Sequence, residues 1–354
     1  MPVRIVLLGN SFAEAIQLPA LKYAGNNEVI GIAGRNLAKA QETAQRWGIA
    51  KATDNWRELL ALAPDLVIVS TPVDLHFEMA VAALECGAAV LCEKPFTRTV
   101  AEAKDLAKRA EGRLALIDHQ LRWSPLRRRL RDKHRENFVG EVFHIRSDLV
   151  IDSPGYMTRP HGWWFDEARG GGTLGALSSH LIDNLIWIFG PVRAVNAQLS
   201  TFIKEREGPD GSPLPVTSDD CAELWLRMEC GALVSMTTSV VLPGGSRWLV
   251  EVAGSEGTLR LDLEDDLIGG KHGEDMQPLA EDLCMPNPED FGMTGRGAFA
   301  ACEPLFLKDV IGAVSAGQNH LPEAATFEDG LACMRVLEAA RYSSRTGCGW
   351  VDCK

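Results

Sequence analysis

The first apolar run of the chain, Val3 to Leu8, leads into Gly9-Asn10-Ser11-Phe12, and a later one, Ala88 to Cys92, ends abruptly on Glu93-Lys94-Pro95. Gly9 can make a tight turn, and Ser11 is small enough to let the backbone approach a pyrophosphate while offering a hydroxyl. A full dinucleotide fingerprint would place glycine at 9, 11 and 14; here Gly9, Ser11 and Glu14 stand there, which a non-binding strand–helix turn could share. Glu14 suits a close helix–strand contact poorly, so Ala13 is expected to pack there, in a loop one residue shorter. The run Val29 to Ala33 ends on Gly34 and Arg35, with Lys39 one turn onward. A chain selective for NAD presents a carboxylate at that point to the ribose 2′-hydroxyl. A guanidinium instead pairs with a 2′-phosphate and stacks on adenine, which favours NADP and leaves NAD as the alternative. Glu93 and Lys94 set a carboxylate beside an ammonium, an arrangement that a solvated surface turn would also produce.

The elements that must position these residues can be read from periodicity. To about residue 120, short apolar runs (Val3 to Leu8, Val29 to Ala33, Leu66 to Ser70, Ala88 to Cys92, Leu114 to Ile117) alternate with helix-period segments closed by glycine. Such alternation gives a parallel sheet with helices on both faces, whose ligands bind beyond the carboxyl ends of the strands. After residue 140 the texture becomes that of an antiparallel sheet. In Cys221 to Glu229, Ala222, Leu224, Leu226 and Met228 share one face, with Glu223, Arg227 and Glu229 on the other. The outer face of that sheet could be covered by helices or by a second subunit. Residues 264 to 298 read as irregular, and a last helix is expected from Phe327 to Ser344. The expected fold is α/β: a Rossmann dinucleotide-binding domain over residues 1–120, then an α+β domain with a large, mostly antiparallel sheet over 121–354.

Composition narrows the function classes. Apolar residues make up 46% and charged residues 24%, an ordinary globular balance, and the net charge of −12 argues against nucleic acid or an anionic membrane as partner. The basic stretch Arg127 to Arg135 is expected to form the wet face of a helix. No run approaches a membrane span, and the N-terminal run is too short for a secretory signal. Nine scattered cysteines without a C-x-x-C pair, and no metal-ligand spacing, point to reduced thiols, no metal and a cytoplasmic setting.

"STPVDLH" (Ser70 to His76), Glu93-Lys94-Pro95, "GGGTLGALSSHLID" (170 to 183) and "TFEDGLACMRVLEAARYSSRTG", in this order and spacing, resemble the Gfo/Idh/MocA family of sugar dehydrogenases. "GNSFAEAIQLPALK" and "TSDD" look most like its glucose-fructose oxidoreductase domain-containing branch, whose members can lack catalytic groups. The resemblance implies NAD(P)-linked redox chemistry on a sugar, polyol or cyclic-diol hydroxyl. It assigns the cofactor to Gly9, Asn10, Ser11, Phe12, Arg35, Ser70, Thr71, Pro72, His76, Glu93 and Lys94. Lys94 would stabilise developing alkoxide charge and orient the carbinol carbon, with Pro95 fixing the backbone through a cis peptide bond and Glu93 orienting the lysine or meeting the cofactor amide. His180 matches the family's general acid/base histidine, since an imidazole titrating near ~6.5 suits proton shuttling. Asp183 could orient it, and Trp163, Gln120 and Arg122 could meet substrate. The family's usual aspartate, four residues before the histidine, is replaced by Ala176. Proton transfer would then rest on His180, supported by Ser178 or Ser179. The alternatives are a dinucleotide-binding sensor or assembly partner without turnover, and a glycosidase that uses NAD transiently. Pairing of sheet faces would give a homodimer or homotetramer.

Overall fold

Six short runs rich in valine, isoleucine and leucine supply the first sheet: β1 Val3–Leu8, β2 Asn27–Ala33, β3 Lys51–Thr53, β4 Leu66–Val69, β5 Ala89–Cys92 and β6 Ala115–Ile117. All pair in parallel, in the order β3-β2-β1-β4-β5-β6. The order reverses between β1 and β4, where an open parallel sheet binds its ligand. The computed structural model describes residues 1–152, 154–263, 265–293, 297–347 and 349–354. They form two units: Met1–Thr97 with Ala101–Ser124 and Pro286–Leu331, and Arg98–Val100 with Pro125–Met285 and Ala332–Lys354.

The helices follow the sequence periods. They are α1 Leu18–Ala24, α2 Leu37–Trp47, α3 Arg57–Leu60, α4 His76–Glu85, α5 Val100–Arg109, α6 Pro125–Arg135, α7 Pro154–Met157, α8 Ser179–Phe189, α9 Ala298–Ser315 and α10 Phe327–Thr346. α2 shows why they start and stop where they do. Asn36 caps it by accepting from the Lys39 N–H at 3.1 Å, and Gly48 ends it in the left-handed conformation (φ 69°). The short strand β3 has no signature in its sequence, because Lys51-Ala52-Thr53 offers one buried position and two half-buried ones.

The second unit carries a nine-stranded sheet in the order β16-β15-β14-β13-β7-β12-β11-β8-β17. Its strands are β7 Val142–Val150, β8 Val192–Ser200, β11 Cys221–Met228, β12 Leu233–Ser239, β13 Arg247–Gly254, β14 Gly257–Asp262, β15 Asp266–Lys271, β16 Gln277–Pro278 and β17 Val351–Asp352, with β9 Glu205–Glu207 and β10 Pro213–Pro215 forming a separate ribbon. All neighbours are antiparallel except β7 and β12. Along β11 the buried and exposed residues alternate as expected, but Trp225 joins Glu223 and Arg227 on the open face. β15 corrects the expectation that residues from 264 onward are irregular. Gly269 and Gly270 are accepted there because a side chain at 269 would meet Leu259 and Phe138, and one at 270 the Asp275 backbone.

The basic stretch is also corrected. Arg127 and Arg131 are buried on α6 beside Leu126 and Leu130, one helical turn apart. Arg127 donates to Asn184 Oδ1 at 3.1 Å and lies over Trp248 at 5.4 Å, and Arg131 stacks on Trp187 at 4.0 Å. A planar, weakly hydrated guanidinium can be buried on aromatic faces where an ammonium could not. Arg127→Met should therefore lower unfolding free energy by on the order of 1–3 kcal/mol, because Asn184 loses its donor. Arg135→Met, at the exposed helix end, should change it by less than about 0.5 kcal/mol. Urea unfolding of both variants measures the difference.

Candidate functional site

The turn after β1 is the tightest point of the first unit. Gly9 has φ +125°, and a side chain there would stand 2.3 Å from the Ser70 carbonyl oxygen at the end of β4. The ladder continues through it, with Gly9 N–H donating to Ala33 O at 2.9 Å and Ser70 N–H to Leu8 O at 2.7 Å. Only glycine allows this approach. The helix that follows begins at Ser11, and its first internal bond is Glu14 N–H to Asn10 O at 2.8 Å. The N–H groups ahead of Glu14 are therefore the ones such a helix presents to an anion. Asn10 Oδ1 in the same turn has no donor among the described residues; as an acceptor it suits a hydroxyl rather than a phosphate. Gly34 leaves room, since a side chain there would approach Asn10 Cβ at 3.2 Å. These features fit a dinucleotide pyrophosphate. Ser11 is exposed, Phe12 is half-buried, and Arg35 and Lys39 are exposed beyond β2. Ala13 is fully buried as expected, and Glu14 turns away to pair with Arg46.

The loops after β4 and β5 are tied together by His76. Its Nε2 lies 2.8 Å from Thr71 O, and its Nδ1 lies 3.1 Å from Pro95 O. The ring is 1% exposed, and burial lowers its pKa, favouring the neutral imidazole. The neutral His76 ring donates to one of these carbonyls and packs against the other between the loops that hold Thr71, Pro72 and Lys94. Thr71 donates its hydroxyl to Met79 Sδ at 3.5 Å, and Pro72 opens a short turn over Val73–Leu75. The Lys94–Pro95 peptide is cis and Lys94 is half-buried. Glu93 is 7% exposed and faces inward, where Gln17 Nε2 donates to its Oε1 at 3.4 Å and to Asp118 Oδ2 at 3.5 Å. The Ser70 hydroxyl donates to the other end of the same amide, at Gln17 Oε1. Gln17 reaches this position from a π-helical segment, Ala13–Gln17. Gln120 is buried, while Arg122 donates to Asp329 Oδ1 at 3.2 Å and braces the start of α10.

In the second unit, Gly171 and Gly172 leave no room for side chains: a Cβ added at Gly171 would stand 2.3 Å from Trp164 O, and one at Gly172 2.3 Å from Asp219 Oδ1. Asp219 accepts from Leu174 N–H at 2.7 Å and so caps the helix that carries His180. Burial pushes the Asp219 carboxyl up to about 6. Asp220 accepts from Phe202 N–H at 2.8 Å and Ile203 N–H at 2.9 Å, so "TSDD" holds backbone in place. A π-helical segment, Leu174–Ser178, precedes α8, and Ala176, His180 and Asp183 are all buried. Ser178 donates to Thr238 at 2.8 Å. A cavity of about 340 Å³ opens beside this segment, lined by Ile151, Tyr156, Arg159, Trp164, Leu177 and Val240. Trp164 rather than Trp163 faces it, its indole N–H donating to the Tyr156 hydroxyl at 3.0 Å. Arg206 fixes the lining, donating to Tyr156 O at 2.8 Å and Arg159 O at 2.9 Å while stacking on Phe165 at 4.0 Å.

A parallel sheet with a glycine turn at its switch point, followed by a lysine at the end of β5, defines a dinucleotide-binding oxidoreductase. Residues 3–117 match the model of the oxidoreductase family with an NAD-binding Rossmann fold, and residues 127–260 match the GFO/IDH/MocA C-terminal domain. The chain belongs to the Gfo/Idh/MocA family. It is 34% identical over 298 residues to an uncharacterised oxidoreductase of Synechocystis, covering 81% of this chain and 80% of that one. It is 30% identical to glucose-fructose oxidoreductase domain-containing protein 2 of Xenopus tropicalis, covering 89% and 84%. With levoglucosan dehydrogenase of Pseudarthrobacter phenanthrenivorans it shares 31% identity over 66% of this chain and 64% of that one. Among solved structures, an oxidoreductase domain protein from Kribbella flavida superposes with a TM-score of 0.87 at 28% identity, over 100% of both chains. Levoglucosan dehydrogenase in complex with NADH and L-sorbose has the same fold, with a TM-score of 0.86 at 24% identity over 99% of both chains.

Sequence reasoning missed Gln17 and Asp118. Asp118 could have been found as a carboxylate directly after an apolar strand; Gln17 left no signal. Gly9→Ala should destabilise the protein by on the order of 1–3 kcal/mol through backbone strain and weaken dinucleotide binding more than tenfold. Thermal unfolding with and without NADPH reads both effects.

Proposed function

We propose that the protein is a nicotinamide-dependent dehydrogenase moving a hydride between NADP(H) and the carbinol or carbonyl carbon of a sugar, polyol or cyclic diol, with NAD(H) as the alternative cofactor. The observation that carries it is Lys94, held at the carboxyl end of β5 by a braced loop, one strand from the turn that Gly9 and Ser70 build. The cofactor, when bound, accepts or donates the hydride. Gly9, Asn10, Ser11 and Phe12 hold its pyrophosphate, Arg35 its 2′-phosphate, and Ser70, Thr71 and Pro72 border its nicotinamide half. Lys94 orients the reacting hydroxyl and stabilises its developing negative charge. His180 is assigned a part in the exchange of protons, together with Lys94. The aromatic wall of Trp164 and Tyr156 supplies a surface on which a hydroxylated ring can lie, and the levoglucosan and L-sorbose of relatives are the first compounds to try. The open sheet face, with Trp225 and Leu233 51% and 43% exposed, is assigned to pairing of copies into a homodimer or homotetramer. The free cysteines among the described residues suit a reduced, cytoplasmic setting.

A second reading is favoured by Ala176: a family member that binds the dinucleotide without redox turnover. Turnover of NADPH or NADP⁺ against cyclic and open-chain sugars, polyols and their carbonyl forms separates the two. Lys94→Ala should lower kcat by at least about 10²-fold while leaving cofactor affinity within about tenfold; an active variant removes the centre of the mechanism. Arg35→Asp should weaken NADPH binding at least about tenfold and spare NADH, as a carboxylate repels a 2′-phosphate. Fluorescence titration with both cofactors decides, and equal affinities before and after the change reject the NADP preference.

A further inference from the structure

Behind Lys94 lies a group of acids that hydride transfer alone does not explain. Glu93 closes β5, Asp118 follows β6, and Glu303 lies on α9, which packs on α1, β1 and the turn Gln120–Trp123. Asp118 and Glu303 are 0% exposed and Glu93 is 7% exposed. Counted as ionised acceptors, Asp118 Oδ1 and both Glu303 oxygens have no donor among the described residues. Asp118 feels Glu93 on one side and Glu303 on the other, near enough that a proton shared between the carboxyls would bond them. The fully buried Gln17 amide supplies one NH₂ to two of the acids, too little to satisfy three carboxylates. The remaining neighbours are the Lys94 ammonium, the buried Cys92 thiol, the buried His119 after Asp118, and the Ser70 hydroxyl on Gln17.

We propose that Glu303 is a positioning residue for the reaction: with Asp118 and Glu93 it forms a proton-sharing carboxyl triad that takes the substrate proton from Lys94 and returns it in the reverse direction. The inference rests on the reading of Lys94 as the group that meets the reacting hydroxyl. In alcohol oxidation the carbinol C–H bond breaks and its electron pair leaves as hydride to the oxidised nicotinamide. The O–H bond breaks and its proton passes to the Lys94 nitrogen as the Lys94 ammonium gives one of its own protons to the ionised member of the triad at Glu93, while the O–H electron pair closes the carbonyl. Alcohol, oxidised cofactor and carboxylate become carbonyl compound, reduced cofactor and carboxylic acid, so the proton is stored rather than released.

The electrostatics agree with this arrangement. Burial, and then the charge of Glu93, push Glu303 from its ordinary 4.5 up to about 8. Burial followed by the neighbouring carboxylates holds Glu93 and Asp118 well above the usual carboxylate range, with Lys94 acting in the opposite sense. Acids packed this closely cannot all ionise, and their protons belong to the group rather than to one residue. The sign of the stability effect follows. The native state keeps a proton at Glu303 that the unfolded chain releases above 4.5, so this contribution is present at acid pH and is lost as pH rises towards about 8.

The test has one arm independent of turnover. Infrared difference spectra of the full-length protein between pH 7 and pH 9.5 should show loss of a buried protonated carboxyl, and Glu303→Gln should weaken or shift that band. The second arm is the pH profile of kcat/KM. The unmodified protein should show an inflection between about pH 7 and 9, displaced or absent in Glu303→Gln and restored by Glu303→Asp, with NADPH affinity held within about twofold. No titrating carboxyl in the unmodified protein overturns the triad, whether or not the glutamine variant folds. An unchanged profile in Glu303→Gln, with Lys94→Ala inactive, overturns the triad and leaves the dehydrogenase reading standing. Turnover that survives in Lys94→Ala overturns both.

Discussion

No atom can be added at Gly9, because the carbonyl of Ser70 occupies the place where a side chain would begin. That contact joins the ends of β1 and β4 at the point where the strand order reverses, and the geometry of the first unit follows from it. It brings Ser70 against Gln17, whose amide then turns its NH₂ towards Glu93 and Asp118. The same approach leaves Asn10 Oδ1 and the first N–H groups of the helix facing a common turn. A glycine fingerprint with two of its three glycines missing still works sterically, because only the first position has no room for a side chain.

Buried carboxylates are used in two opposite ways. In the second unit Asp219 and Asp220 are matched to backbone N–H groups, which satisfy their oxygens and fix the helix start and the loop at Phe202. Such acids hold structure by being acceptors. Glu93 and Asp118 share the one Gln17 amide, Glu93 also accepts from the Lys94 N–H at 3.3 Å, and both Glu303 oxygens lack a donor among the described residues. The difference lies in the surroundings: a helix start offers N–H groups, whereas the middle of α9 offers none, its own N–H groups being engaged along the helix.

Much of this was legible in the sequence. Uninterrupted apolar runs separated by helical periods define a parallel sheet, and the alternation in Cys221 to Met228 defines a half-open one, since each pattern admits one burial scheme. Lys51-Ala52-Thr53 carries no such pattern, and its strand exists only because β2 lends it a partner. Arg127 and Arg131 read as solvated because charge is visible in sequence and Trp248 and Trp187, far along the chain, are not visible as partners. Glu93 was recognised beside Lys94, but the two acids it faces were not, for the same reason. Asp118 and Glu303, the acids it faces, are separated from it by 25 and 210 residues in the chain numbering.

Two of the helices that carry motif residues hold π-helical segments in their first turns, Ala13–Gln17 and Leu174–Ser178. In such a segment the ladder runs i→i+5 rather than i→i+4, so each holds one more residue than an α-turn of the same reach. Counting back from a landmark across these turns therefore goes out of phase. Position 176 is four residues before His180 by number, yet it lies inside the widened turn rather than one α-turn away. An alignment that matches residues by number alone will compare unlike faces of the two helices.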